Sequence, residues 1–164
     1  MLSVTKKILM LGAIAVLSSC GGGTRGSGNT PQTSGSFADP MGNPDLPAKL
    51  GEAFKVGSIT YKPADVAQYD DVGYASISSV GSGGNTTANG EIFLASGVSA
   101  AHKTLPMPTY VEVTALDTGR TILVRVNDRG PLANDRLIDL SEGAARQLGI
   151  VEQGIAGVRV RKVN

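Results

Sequence analysis

Three polar side chains stand where they could do chemistry. Glu91 closes Thr87-Ala88-Asn89-Gly90-Glu91, His102 lies in Ala100-Ala101-His102-Lys103-Thr104-Leu105-Pro106, and Asp128 belongs to Asn127-Asp128-Arg129-Gly130-Pro131. Carboxyl groups and an imidazole are the usual instruments of general acid–base catalysis. Each also has a structural reading. Asn89-Gly90 favours a tight turn, which would leave Glu91 as a solvated residue entering a strand. A lone histidine is more often a hydrogen-bonding group than a catalyst. Asp128 ends an apolar strand, where a carboxylate can acquire a perturbed pKa, but it could equally cap its turn and pair with Arg129.

Other chemistries fail simple checks. The chain has no G-x-S-x-G elbow, no Walker loop and no G-x-G-x-x-G. A Ser-His-Asp triad fits the composition, yet nothing marks one serine as activated. Gly81 to Gly84 is glycine-rich but lacks the lysine and following helix of a phosphate cradle. One histidine and one cysteine exclude a metal site with several His or Cys ligands. No cofactor is expected.

The elements that must hold these residues read as mainly β. Val111, Val113 and Ala115 alternate with Tyr110, Glu112 and Thr114, and Asp117-Thr118-Gly119-Arg120 supplies a turn. Ile122, Val124 and Val126 then alternate with Leu123 and Arg125, completing a hairpin. Val158 and Val160 alternate with Arg159, Arg161 and Lys162. One helix interrupts the pattern, with Ser141 as N-cap and Gly149 as its stop. Upstream, Phe54 to Tyr61 reads as a small hairpin around Gly57, and Tyr69-Asp70-Asp71 as a turn. The unit 73–164 suffices for one modest core. The pattern alone leaves a small barrel and a sandwich open.

The N-terminal part reads as an export signal and tether. Lys6 and Lys7 precede the apolar run Ile8 to Leu17, which has the length of a signal-peptide core and is too short to span a bilayer. It ends in Leu17-Ser18-Ser19-Cys20, which looks like the lipobox of bacterial lipoproteins. The expected organisation is a signal peptide over 1–19, then lipidated Cys20 with a disordered Gly/Ser/Pro-rich linker over 20–47. An extension over 48–72 follows, then the β domain over 73–164. Removing 1–19 takes two lysines and no acid from 15 basic and 14 acidic side chains, leaving a net charge of −1. A near-neutral chain without a basic block argues against nucleic acid as a partner.

Taken in order, Gly73-Tyr74-Ala75-Ser76, Thr87 to Glu91, Ala100 to Pro106, Val124 to Pro131 and Ile138-Asp139-Leu140-Ser141 resemble the rare lipoprotein A family of envelope proteins. The likeness covers roughly 73–163. It implies a six-stranded double-psi β-barrel with one or two short helices. It also implies lytic transglycosylase activity on peptidoglycan glycan strands, especially strands stripped of stem peptides. The family's active-site positions fall on Glu91, His102 and Asp128, with Asn89, Lys103, Asn127 and Arg129 as substrate-binding neighbours. Asp128 is the expected acid/base, coupled to Glu91, with His102 orienting one of them. The implied setting is the cell envelope, with Cys20 holding the protein in the outer membrane facing the periplasm. Glycan strands, and possible division-site proteins, would be the partners.

One departure stands out. The family has Ser-Trp-Tyr-Gly and Phe-His-Gly-Arg where this chain has Ser76-Ile77-Ser78-Ser79 and Ser82-Gly83-Gly84-Asn85. A flat aromatic wall for sugar rings is therefore missing, which should weaken glycan binding. The alternative is a non-catalytic glycan-binding or division-associated lipoprotein with the same barrel.

Overall fold

The computed structural model describes residues 47–81 and 83–163. The expected signal peptide, Cys20 and the linker before Pro47 lie outside them. The first described elements are β1 (Phe54–Val56) and β2 (Ile59–Tyr61), the antiparallel hairpin expected around Gly57. Gly57 takes φ 59° at the turn, a left-handed value that glycine adopts without strain.

Six further strands close into one barrel. They are β3 (Asp70–Ser78), β4 (Ser99–His102), β5 (Thr109–Ala115), β6 (Thr121–Asp128), β7 (Ile138–Ser141) and β8 (Ile155–Lys162). Around the barrel the order is β3-β7-β4-β6-β5-β8, with β8 returning to β3. The β3–β7 and β4–β6 pairs are parallel and the others antiparallel. Closure leaves no unpaired edge within this sheet, and it decides the question between barrel and sandwich.

The period-two runs form the interior. Val111, Val113, Ala115, Val124, Val126, Val158 and Val160 are fully buried, and Leu105, Ile138, Leu140, Leu148 and Ile150 fill the rest of the core. Asp70 and Asp71 open β3 instead of forming a turn. The cause is β8, whose pairing runs on to Asp70↔Arg161, while Arg159 holds the Asp70 carboxylate at 2.5–2.7 Å.

Helix α1 (Glu142–Leu148) follows β7 directly. The Ser141 hydroxyl accepts from Ala144 N at 3.2 Å and donates to Gly97 O at 2.6 Å, and Gly149 ends the helix at φ 81°. A methyl at Gly143 would stand 2.2 Å from Ser96 O, so the helix lies flush on the segment leading into β4.

Strand β4 is the element that assembles the site. It lies between β7 and β6, and its Ala101 is in register with Asp139 on one side and Asp128 on the other. The β4–β6 register shifts between Ala100 and Ala101, so that Ala100 opposes Val126 and Ala101 opposes Asp128. By simple alternation Asp128 would share the inward face of Val124 and Val126. The bulge adds one residue and re-aims its side chain outward beside Ala101.

Candidate active site

Asp128 and Asp139 line one surface cleft of about 330 Å³, with half-buried Ala101 between them on its floor. Two strand spacings separate their backbones, roughly 10 Å between Cα atoms. Small residues keep the cleft open. A side chain at Gly130 would begin 3.3 Å from Ala101 Cβ and 3.6 Å from Asp139 Oδ2. On the rim stand Val80 and Leu132, 63% and 71% exposed.

The two carboxyl groups are held differently. Asp128 Oδ1 accepts the backbone N–H groups of Ala88 and Arg129, each at 2.8 Å. Asp139 Oδ1 accepts the hydroxyl of Ser76 on β3. Burial pushes the Asp139 carboxyl above the ordinary carboxylate range, and the charge of Asp128 adds to this. Ser76, Lys103 and Arg136 oppose the shift without cancelling it. Asp139 is therefore a cleft carboxyl that keeps its proton to higher pH than an ordinary aspartate.

Glu91 lies on the locked loop before β4. Thr87 N donates to Glu91 O, Gly90 N donates to Thr87 O, and Gly90 takes φ 91°. The Glu91 carboxylate sits on the Arg125 guanidinium, with Oε1 at 2.7 Å from Nη2 and Oε2 at 3.3 Å from Nε. Asn127 Nδ2 donates to Oε2 at 2.8 Å, and Asn89 Nδ2 to Oε1 at 2.7 Å. Burial alone would raise the pKa of this carboxyl, but hydrogen bonds from Arg125, Asn127 and Asn89 overcome it and hold Glu91 below the ordinary value. Glu91 is a fixed anion.

His102 points the other way. Alternation along β4 puts its ring on the face opposite Ala101, and it is buried. Nδ1 accepts from Thr104 N at 3.2 Å and Leu105 N at 3.1 Å, so the ring proton is on Nε2, 2.9 Å from the Tyr69 hydroxyl. Burial depresses its pKa to about 3, with the charges of Arg129 and Lys103 adding to the effect. The ring is neutral and shapes the turn after β4.

The remaining sequence candidates are scaffold-like in their contacts. The Arg129 guanidinium donates to the carbonyls of Leu105 at 2.6 Å, His102 at 3.2 Å and Leu50, tying the segment before β1 to the barrel. Lys103 is buried, donates to Arg136 O, and lies 5.3 Å from the centre of the Tyr61 ring. Asn89 braces the Glu91 loop, its N–H meeting Asn127 O at 3.4 Å. Of the sequence candidates, Asp128, Asn127 and Arg129 border the cleft or its floor, and Glu91 reaches it through Asn127. Asp139 is the residue that sequence reasoning misses. Its outward position between Ile138 and Leu140 is legible, but its neighbour across β4 is not.

Residues 71–160 match the model of the lytic transglycolase family. The chain belongs to that family. Among curated relatives, the endolytic peptidoglycan transglycosylase RlpA of Pseudomonas aeruginosa (strain UCBPP-PA14) is 49% identical over 109 residues, covering 66% of this chain and 32% of the relative. The protein of the same name from Neisseria meningitidis serogroup A is 41% identical over 119 residues, covering 72% of this chain and 50% of the relative. The chain thus spans a third to a half of the length of these relatives. Among solved structures, Streptomyces papain inhibitor superposes with a TM-score of 0.50 at 25% identity, covering 61% of this chain and all of that one. Every cleft carboxyl and hydroxyl described above lies inside the span matched by the lytic transglycolase model.

Proposed function

We propose that this protein is a peptidoglycan lytic transglycosylase that cleaves the MurNAc–GlcNAc bond and leaves 1,6-anhydro-MurNAc ends. The observation that carries the reading is the Asp128–Asp139 pair in one cleft, with Asp139 shifted toward its protonated form. A carboxyl that holds its proton beside a second carboxyl is the equipment of glycosidic bond cleavage. The activity named for the relatives supports it.

In this mechanism the protonated Asp139 gives its proton to the bridging oxygen, and the C1–O bond breaks. Positive charge develops at C1 and the ring oxygen, and the Asp128 carboxylate stabilises it. The C6 hydroxyl of the same sugar then attacks C1, and its proton passes to the Asp139 carboxylate. The C1–O6 bond closes the anhydro ring, the acid is restored, and no water is consumed. The acid/base role thus moves from Asp128 to Asp139. Glu91 and His102 act in the scaffold, the first by fixing Asn127 and the second by shaping the turn after β4. Val80 and Leu132 offer the sugar faces aliphatic surface in place of the missing aromatic wall.

The proposal includes the cellular setting. Residues 1–19 direct export, and Cys20 carries the lipid that anchors the protein in the outer membrane. The linker gives the barrel reach into the wall, where division-site proteins are its candidate protein partners. The test is incubation of the protein with intact and amidase-stripped sacculi, followed by mass spectrometry. The reading requires 1,6-anhydro-muramyl products, more abundant from stripped sacculi. Glycan binding without product would replace it with a binding role, and ordinary reducing ends would make the protein a hydrolase.

A further inference from the structure

The geometry points to Asn127 Oδ1 as the acceptor for one hydroxyl of the bound glycan, with Glu91 as the residue that keeps that oxygen turned to the cleft. The assignment rests on the cleft being a glycan site. Asn127 is 1% exposed, and its Oδ1 is buried without a hydrogen-bond partner among the described residues. Such an acceptor is costly unless something supplies a donor.

The other end of the amide explains its orientation. Asn127 Nδ2 donates to Glu91 Oε2 at 2.8 Å. An ionised carboxylate only accepts, so the amide nitrogen must face it and the oxygen must face away. Glu91 is held in place by the Arg125 guanidinium. A carboxylate at position 91 thus dictates which atom of Asn127 is left over.

The residue that carries this oxygen borders a small space. Asn127, Asp128 and Asp139 all line a recess of about 20 Å³ beneath the cleft, and Glu91 does not. That volume admits one water-sized group, which fits a hydroxyl and excludes an acetamido group or a ring. Ser78, Val80 and Ala101 line both the recess and the cleft, so a sugar in the cleft can reach it. Asn127 is then a substrate-binding residue and Glu91 a positioning residue acting through it.

The experiment measures equilibrium binding of peptide-stripped glycan strands by the full chain carrying Asp139→Asn, which silences turnover. Adding Glu91→Gln lets the Asn127 amide turn over and should weaken binding roughly three- to tenfold, the size of one neutral hydrogen bond. Adding Glu91→Gln together with Asn127→Asp restores an accepting oxygen at position 127 and keeps one negative charge in the 91–127 pair, so binding should recover. Circular dichroism confirms that each variant is folded. A fourth readout is a crystal structure of the Asp139→Asn protein with a glycan fragment, where a sugar hydroxyl should lie within hydrogen-bond distance of Oδ1. Unchanged binding in the Glu91→Gln protein, no recovery in the paired variant, or a water alone on Oδ1 would each overturn the assignment. So would absence of glycan binding. If binding behaves as expected and the wild-type chain releases no anhydro ends, the assignment stands and the proposed catalysis fails.

Discussion

Asp128 and Asp139 are each in register with Ala101, one on either side of β4, so a single alanine of the cleft's central strand lies between the two aspartates. The Ser76 hydroxyl donates to Asp139, and two backbone N–H groups donate to Asp128. The pair works as a unit: the charge of Asp128 helps keep the proton on Asp139.

That coupling predicts a shift that can be read directly. By carboxyl NMR, Asp139 should titrate above an ordinary aspartate, and in Asp128→Asn its pKa should fall, because the charge that raises it has gone. The same change should move the alkaline limb of any residual activity to lower pH.

Ala101 sets the width of the site. Ala101→Leu should fill the cleft floor and abolish turnover while leaving thermal stability nearly intact, since the side chain faces outward and is half-buried. Activity assays and thermal melts on one preparation check both halves.

Burial of His102 makes stability depend on pH. Its folded pKa of about 3 lies below the unfolded value near 6.5, so between these pH values the unfolded chain binds the extra proton. Stability should therefore be present above about pH 6.5 and be lost as pH falls toward 3, at up to about 1.4 kcal/mol per pH unit from this group. Urea titrations across that window should show a shallower dependence in His102→Gln.

The Glu91–Arg125 pair is buried, with Arg125 1% exposed. Glu91→Ala leaves the guanidinium without this carboxylate and should cost about 3–5 kcal/mol. Chemical denaturation would measure the loss, and Glu91→Gln should cost less.

Much of this arrangement is legible in the sequence, and the division is physical. The β5–β6 hairpin and the capped helix α1 follow from alternation, a turn glycine and an N-cap serine, all of them local signals. What depends on partners far along the chain is not legible. Arg125 alternates with buried valines and reads as solvated, yet the loop carrying Glu91 covers it. The bulge opposite Ala101 that turns Asp128 outward leaves no mark in the residue pattern. Nor does His102 show in sequence that its ring faces Tyr69 instead of the cleft.

The most direct test of the account is release of 1,6-anhydro-muramyl ends from peptide-stripped glycan strands by the wild-type chain and by Asp139→Asn. The substitution can keep the Ser76 hydrogen bond through the amide oxygen and removes the acidic proton. Asp139→Asn should leave a folded barrel whose rate falls roughly 10²- to 10⁴-fold. Release of anhydro ends at close to the wild-type rate by folded Asp139→Asn would contradict it.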